Sequence, residues 1–254
     1  DLPSYRRYID ETPGGRLYKN KLSDDELIVF LRLPKRSAID KETFKTFIST
    51  SEDAGPALVK GAYKEGDTKF VRRLLSIDGD ASSSVNYDQW RTKLAKMYRN
   101  SGNAPDTDPI ALNPTGINHE VFSDYVSALY YAKQRPEIDD TDHWASAVTS
   151  QDLPDEGGTR TNGKTTFTHP AGEAWSAIRY AYKPEVKRID TEVDVAGGND
   201  IDLRLEYSDG RTEYVEVKNK NAKANNFKDN LKKDMFSSTQ SNSMKQKLAD
   251  ASLD

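Results

Sequence analysis

The chain has 254 residues, of which 35% are hydrophobic and 31% charged, with a formal net charge of -4. That length suits one large domain or two ordinary ones, and 13 Tyr, 8 Phe and 3 Trp suffice to seed a core. The charge excludes a uniformly basic nucleic-acid binder. The lack of cysteine excludes disulfides, thiol nucleophiles and Cys-based zinc sites, and no apolar run reaches the ~18 residues of a membrane span.

The first residue is Asp and no signal peptide precedes it, so the expectation is a processed piece of a longer protein. Residues 1–150 read as an all-helical domain. Ser23-Asp24-Asp25-Glu26 is a capping box, and the helix it opens is expected to stop at Pro34. Helical periodicity follows over Lys41–Ile48, Pro56–Ala62, Thr68–Leu75, Tyr87–Tyr98 and His119–Lys133. Trp90, Trp144 and Trp175 read as core. His119, His143 and His169 share no ligand spacing and read as surface or capping residues.

Residues 151–168 are rich in Gly, Thr and Asp and read as a linker. Gly158 to Thr165 formally match the phosphate-loop pattern GxxxxGK[ST]. That loop needs a buried strand before it and a helix after it. Leu153-Pro154-Asp155-Glu156 is a poor strand, and the Thr-rich stretch before Pro170 reads as a poor helix, so nucleotide binding is not expected.

Residues 169–254 alternate elements. Pro170–Lys183 reads as a helix with Trp175, Ile178 and Tyr182 on its apolar face. Val186–Val195 reads as a strand, followed by a hairpin of Asp200–Tyr207 and Arg211–Asn219. A helix over Asn226–Phe236 and a last helical piece with Met244 and Leu248 complete the order α-β-β-β-α-α. The whole is therefore α+β, with a small α/β domain behind the helical one.

Pattern fixes the hairpin register. Ile201, Leu203 and Leu205 share one face of the first strand, and Val215 and Val217 share one face of the second. A two-residue Asp209-Gly210 loop mixes polar with apolar on both faces. A three-residue loop, Ser208-Asp209-Gly210, pairs Leu203 with Val215 and puts Gly210 at the left-handed position. The same register sets Asp202 opposite Glu216 and Asp200 opposite Lys218. Two carboxylates with Cβ atoms roughly 5 Å apart repel unless a positive charge joins them. A divalent cation such as Mg²⁺ is the natural candidate, and Lys218 lies beside Glu216 to stabilise charge on a phosphate.

IDL at 201–203 followed after a turn by VEVK at 215–218, with GEAW at 172–175 ahead of the first strand, resembles the PD-(D/E)xK nuclease superfamily. The resemblance covers about Pro170 to Phe236. It implies a restriction-endonuclease-like core with a mixed sheet, and Mg²⁺- or Mn²⁺-dependent phosphodiester hydrolysis. Asp202 and Glu216 become metal ligands, Lys218 the catalytic lysine and Glu173 the helical acid that adds to the metal site. Asp200 is the second candidate for the Asp role; Asp202 is preferred because it sits between two apolar residues. The family's proline is absent, and no segment after Phe236 reads as its last core strand.

Lys220, Lys223, Lys228, Lys232 and Lys233 supply a basic patch beside this acidic site, as a nucleic-acid backbone requires. The layout also resembles the delivered C-terminal tips of bacterial polymorphic toxins, including contact-dependent inhibition systems. That implies delivery into a target-cell cytoplasm, a cognate immunity protein, and a receptor or partner for the helical domain. The alternatives are a cytoplasmic repair or junction-resolving nuclease, or a catalytically dead fold acting as a binding module.

Overall fold

The computed structural model describes residues 2–36, 39–79, 82–103, 118–150, 165–195 and 199–218. The chain divides into two compact units. One comprises residues 1–130 and 144–168, the other residues 131–143 and 169–254. The fold is α+β: mostly helical, with one small three-stranded sheet. Among the described residues no helix is long and apolar enough to cross a membrane.

The described elements of the first unit are helical. They include α1 (Leu2–Glu11), α2 (Pro13–Lys21), α3 (Asp24–Arg36), α4 (Lys41–Thr50), α5 (Ala54–Lys64), α6 (Thr68–Ser76) and α7 (Tyr87–Tyr98). A π-helical turn, Arg99–Asn103, extends α7, and α8 (His119–Ala132) and α9 (His143–Thr149) follow. The capping box forms as expected: Glu26 Oε2 accepts from Ser23 N at 2.8 Å and Glu26 N donates to Ser23 Oγ at 3.3 Å. Pro34 does not stop α3, which runs two residues further. A proline this close to a helix end forfeits little besides its own amide bond.

Sequence pattern overlooked α1, α2 and α9. Thr12 caps α2 by accepting from Gly15 N, with Pro13 just inside, so that start signal is legible in retrospect. Aromatic rings fill the core between these helices. Tyr18 stacks on Phe30 at 5.1 Å, and Phe30 meets Phe44 at 4.9 Å. Trp90 donates to Tyr125, which donates in turn to the Trp144 carbonyl. Trp90 and Trp144 are buried as expected, whereas Trp175 is only half-buried.

The longest helix, α10 (Thr165–Ala181), begins where a poor helix was expected. Thr165 is the one residue of the phosphate-loop match that the structure describes; the rest of that match lies outside the described residues. The buried stripe of α10 is Phe167, Ala171, Ala174, Ala177, Ile178 and Ala181. Tyr182 was expected on the apolar face, but it is 70% exposed just past the helix end, with the Arg135 guanidinium 4.4 Å above its ring.

The sheet of the second unit runs β1 (Val186–Val195), β2 (Asn199–Tyr207) and β3 (Thr212–Val215), in that spatial order and antiparallel throughout. The sequence led us to expect a mixed sheet, and the three described strands form its antiparallel part. Among the described residues the parallel component is a single bridge, Ile138 to Ile189 on the outer edge of β1. The helix expected over Asn226–Phe236 and the last helical piece lie outside the described residues. Ile189, Ile201, Leu203 and Leu205 are fully buried and define the apolar face.

The hairpin takes the three-residue loop. Leu203 pairs with Val215, and Gly210 has φ +84 with its amide bonded to the Tyr207 carbonyl at 3.0 Å. Nothing surrounds Gly210 within 4 Å, so a side chain there meets only the backbone penalty of the left-handed region. Gly210→Ala should therefore destabilise the protein by about 1–2 kcal/mol, read from the midpoint of urea unfolding.

Candidate active site

Asp202 sits in β2 between Ile201 and Leu203, both fully buried, so its strand position is pinned from either side. The register that joins Leu203 to Val215 brings Glu216 across from it. The assigned β3 is shorter than the expected Arg211–Asn219 and ends at Val215. The reason is local: the Val217 amide donates to Asp202 Oδ2 in a short bond. A backbone donor is spent on a side chain there rather than on the ladder. Glu216 forms a close ion pair with Lys218, and the Glu216 side chain is 1% exposed while that of Lys218 is 26% exposed. Asp202, Glu216 and Lys218 are thus brought together.

Glu173, two turns before the end of α10, belongs to the same neighbourhood. Its charge acts on Asp202. Burial, then Glu216 and Glu173, push the Asp202 carboxyl up to about 7, against the Val217 amide and Lys218, which favour the anion. Asp200 lies across from Asp194 in an acid–acid pair at the exposed end of the sheet, and its charge falls on Glu192. Lys220, Lys223, Lys228, Lys232 and Lys233 lie outside the described residues.

The polar face of the β1–β2 pair separates into two halves. Arg188 faces Glu206 and Asp190 faces Arg204, opposite charges with Arg204 Nη2 2.6 Å from Asp190 Oδ2. Further along, the pairs of Thr191 with Leu203 and Val193 with Ile201 set Glu192 across from Asp202. Asp194 then faces Asp200. Complementary cross-strand charges stabilise a sheet and like charges directly opposed destabilise it. The strands change from the first arrangement to the second between Asp190 and Glu192.

Sequence reasoning missed His143. Its Nδ1 lies 2.9 Å from the Asp140 carbonyl and 3.3 Å from Thr191 Oγ1, and its Nε2 faces Glu173 Oε2 at 3.8 Å. Burial alone would lower the His143 pKa, but Glu173, the Asp140 carbonyl and Glu192 outweigh it and the value is raised. The Glu192 carboxyl is also raised, first by desolvation and then by Asp200, Glu173 and Asp140, against the opposing pull of His143. No local spacing announces this contact, since His143 and Glu173 meet only through the fold. His119 neither caps a helix nor lies on the surface: its Nε2 lies 3.2 Å from Oδ2 of Asp67, and it is Asp67 that caps α6.

The chain matches no family model, no curated protein and no solved structure. The chemistry of the site therefore has to be argued from its own atoms. Among the described residues no group of three or more His, Asp or Glu side chains is arranged as a ready metal cage. The donors that do meet, Asp202 and Glu216, are hard oxygens in a negative field. Mg²⁺ is commonly held by one or two carboxylates, with water and phosphate completing its shell, and that donor set fits.

The raised Asp202 pKa sets a pH dependence. Between about pH 4 and about pH 7 the folded protein keeps a proton that the unfolded chain releases, so stability declines as pH rises through that window. Asp202→Asn keeps an acceptor for the Val217 amide and removes the ionisation. In urea unfolding without divalent cations, the variant should exceed the wild type by about 1–3 kcal/mol near pH 8 and match it near pH 4.

Proposed function

We propose that the second unit is a metal-dependent nuclease of restriction-endonuclease-like type that hydrolyses phosphodiester bonds, DNA more readily than tRNA. The observation that carries this reading is the cross-strand meeting of Asp202 and Glu216 with Lys218 ion-paired beside them. Asp202 and Glu216 would hold Mg²⁺ or Mn²⁺, Glu173 would add a carboxylate, and Asp200 stands as the alternative to Asp202. A cation there supplies Lewis acidity to the phosphate and acidifies water.

The chain's own groups do the remaining work. Buried Ile201 and Leu203 hold Asp202 in place, and the Val217 amide fixes one of its carboxylate oxygens. Glu216 anchors the Lys218 ammonium, whose partly exposed position suits it to the negative charge that grows on a phosphate as the bond breaks. The lysines from Lys220 to Lys233 serve the backbone of the nucleic acid, a contribution that weakens as salt rises.

In a biological setting we assign the protein to the effector tips of delivered bacterial toxins. A cognate immunity protein would be its inhibitor, and the helical unit would dock a receptor or partner. Toxicity on expression, relieved by the product of an adjacent small open reading frame, checks this assignment.

One observation favours a second reading. The lack of a three-donor cage among the described residues suits a binding module whose metal site is dead. Titration calorimetry separates the two, since such a module takes up neither Mg²⁺ nor Mn²⁺.

Incubation of the protein with plasmid and with total RNA tests the main proposal. Cleavage should require Mg²⁺ or Mn²⁺, stop on chelation, and fall about 10²–10³-fold in Lys218→Ala, as when one preorganised donor to a developing anion is lost. Cleavage that survives chelation, or a Lys218→Ala variant as active as the wild type, would sink the proposal.

A further inference from the structure

We propose that His143 is a positioning residue that aims Glu173 at the Asp202–Glu216 pair. The inference rests on the reading of that pair as a cation site, and it assigns a role to a residue that the sequence pattern leaves on the surface.

The segment around Asp139 and Asp140 is stitched to the edge of β1. Asp139 N donates to the Ile189 carbonyl at 2.8 Å, and Ile189 N donates to the Glu137 carbonyl at 2.7 Å. Arg188 adds an ion pair to Asp139 at 2.6 Å. Thr191 Oγ1 then reaches the Asp139 and Asp140 carbonyls at 3.1 and 2.8 Å. These contacts leave the Asp140 carbonyl aimed at His143 Nδ1. A carbonyl only accepts, so Nδ1 carries the hydrogen and the tautomer is set. Nε2 is the nitrogen presented to Glu173, at an ion-pair separation rather than a hydrogen-bond length.

Backbone geometry supplies an independent observation. Among the described residues the non-glycine positions with positive φ are Glu52, Asp140 and Glu192. Two of these three bear on His143, through the Asp140 carbonyl and the Glu192 carboxylate. Glu192 takes φ 47 inside β1, between two regular ladder pairs, where an extended residue would cost nothing. Left-handed backbone at a residue other than glycine is disfavoured and persists where surrounding contacts hold it in place.

Glu173 is the group common to the two neighbourhoods. Its Oε2 lies 3.8 Å from His143 Nε2, His143 Nδ1 lies 3.3 Å from Thr191 Oγ1, and the next residue of β1, Glu192, stands across the ladder from Asp202, on which the Glu173 charge also acts. An imidazole fixed at Nδ1 and facing a carboxylate with Nε2 restricts the directions that carboxylate can take. Partners of this kind, which hold a ligand rather than the ion, change metal affinity about 10–100-fold when removed.

The test is a double-mutant cycle on the full chain, with Mn²⁺ binding read by titration calorimetry and nucleic-acid cleavage read alongside. His143→Ala should weaken Mn²⁺ binding about tenfold and raise by a similar factor the Mn²⁺ concentration for half-maximal cleavage. His143→Gln should recover part of the loss. In the Glu173→Gln background, His143→Ala should produce no further loss, and that non-additivity is what a purely structural histidine would lack. Equal losses in both backgrounds, or unchanged Mn²⁺ binding in a folded His143→Ala, overturn the inference while the nuclease reading stands. Should His143→Ala fail to fold, the cycle is run with His143→Gln, which must then lose affinity only when Glu173 is present. A wild-type protein that neither binds Mn²⁺ nor cleaves nucleic acid removes the cation site and this role together.

Discussion

The arrangement of the second unit depends on one constraint, the burial of Ile201, Leu203 and Leu205 on a single face of β2. Strand side chains alternate, so burying that set forces Asp202 to the opposite side and fixes its partner on β3. Shifting the register by one residue would expose the whole apolar set, a far larger penalty than the repulsion of one carboxylate pair. Apolar burial therefore dictates the geometry, and electrostatics must adapt to it. The adaptation is visible in the Val217 amide turned onto Asp202 and in the Lys218 ammonium held against Glu216.

This hierarchy explains which parts of the molecule were legible in the sequence. The capping box at Ser23 and the Ser208-Asp209-Gly210 loop are local devices, written within a few adjacent residues, and both formed as read. The pairing of Leu203 with Val215 was legible because a period-two pattern and a glycine left one consistent solution. The buried face of α10 was read only in part: Ile178 is buried as expected, but Phe167 and four alanines complete that face, while Tyr182 lies in solvent beneath a guanidinium. The segment from Asp139 to His143, which leads into α9, gave no signal at all. Its place is set by edge bonds to Ile189 and Thr191, about fifty residues downstream, and no window of sequence contains both sides of such a contact.

Charge on the sheet separates structural from chemical pairs. Asp190 is nearly buried, yet it is satisfied by Arg188 and Arg204, and the resulting network ties Asp139 to β1. That is how a fold accommodates an internal acid when stability is the only requirement. Among the described residues Asp202 receives no arginine. It receives Glu216 across the strand and Glu173 from α10, with one backbone amide and one amine to oppose them. The same two strands thus solve the same electrostatic problem in two ways, separated by a few residues. The second solution leaves a carboxyl whose proton is held up to about 7.

That difference bears directly on the nuclease reading. A phosphodiester is an anion, and Glu216 and Glu173 already load the Asp202 carboxyl with a negative field that Lys218 only partly offsets. Alone, this field repels the substrate. The reading is therefore coherent only if cation and substrate bind cooperatively, the cation reversing the sign of the field that phosphate meets. By linkage the nucleic acid must then tighten the cation by the same factor. On that reading the free protein should hold Mg²⁺ or Mn²⁺ weakly, through Asp202 and Glu216 with Glu173 beside them, until a phosphate completes the shell.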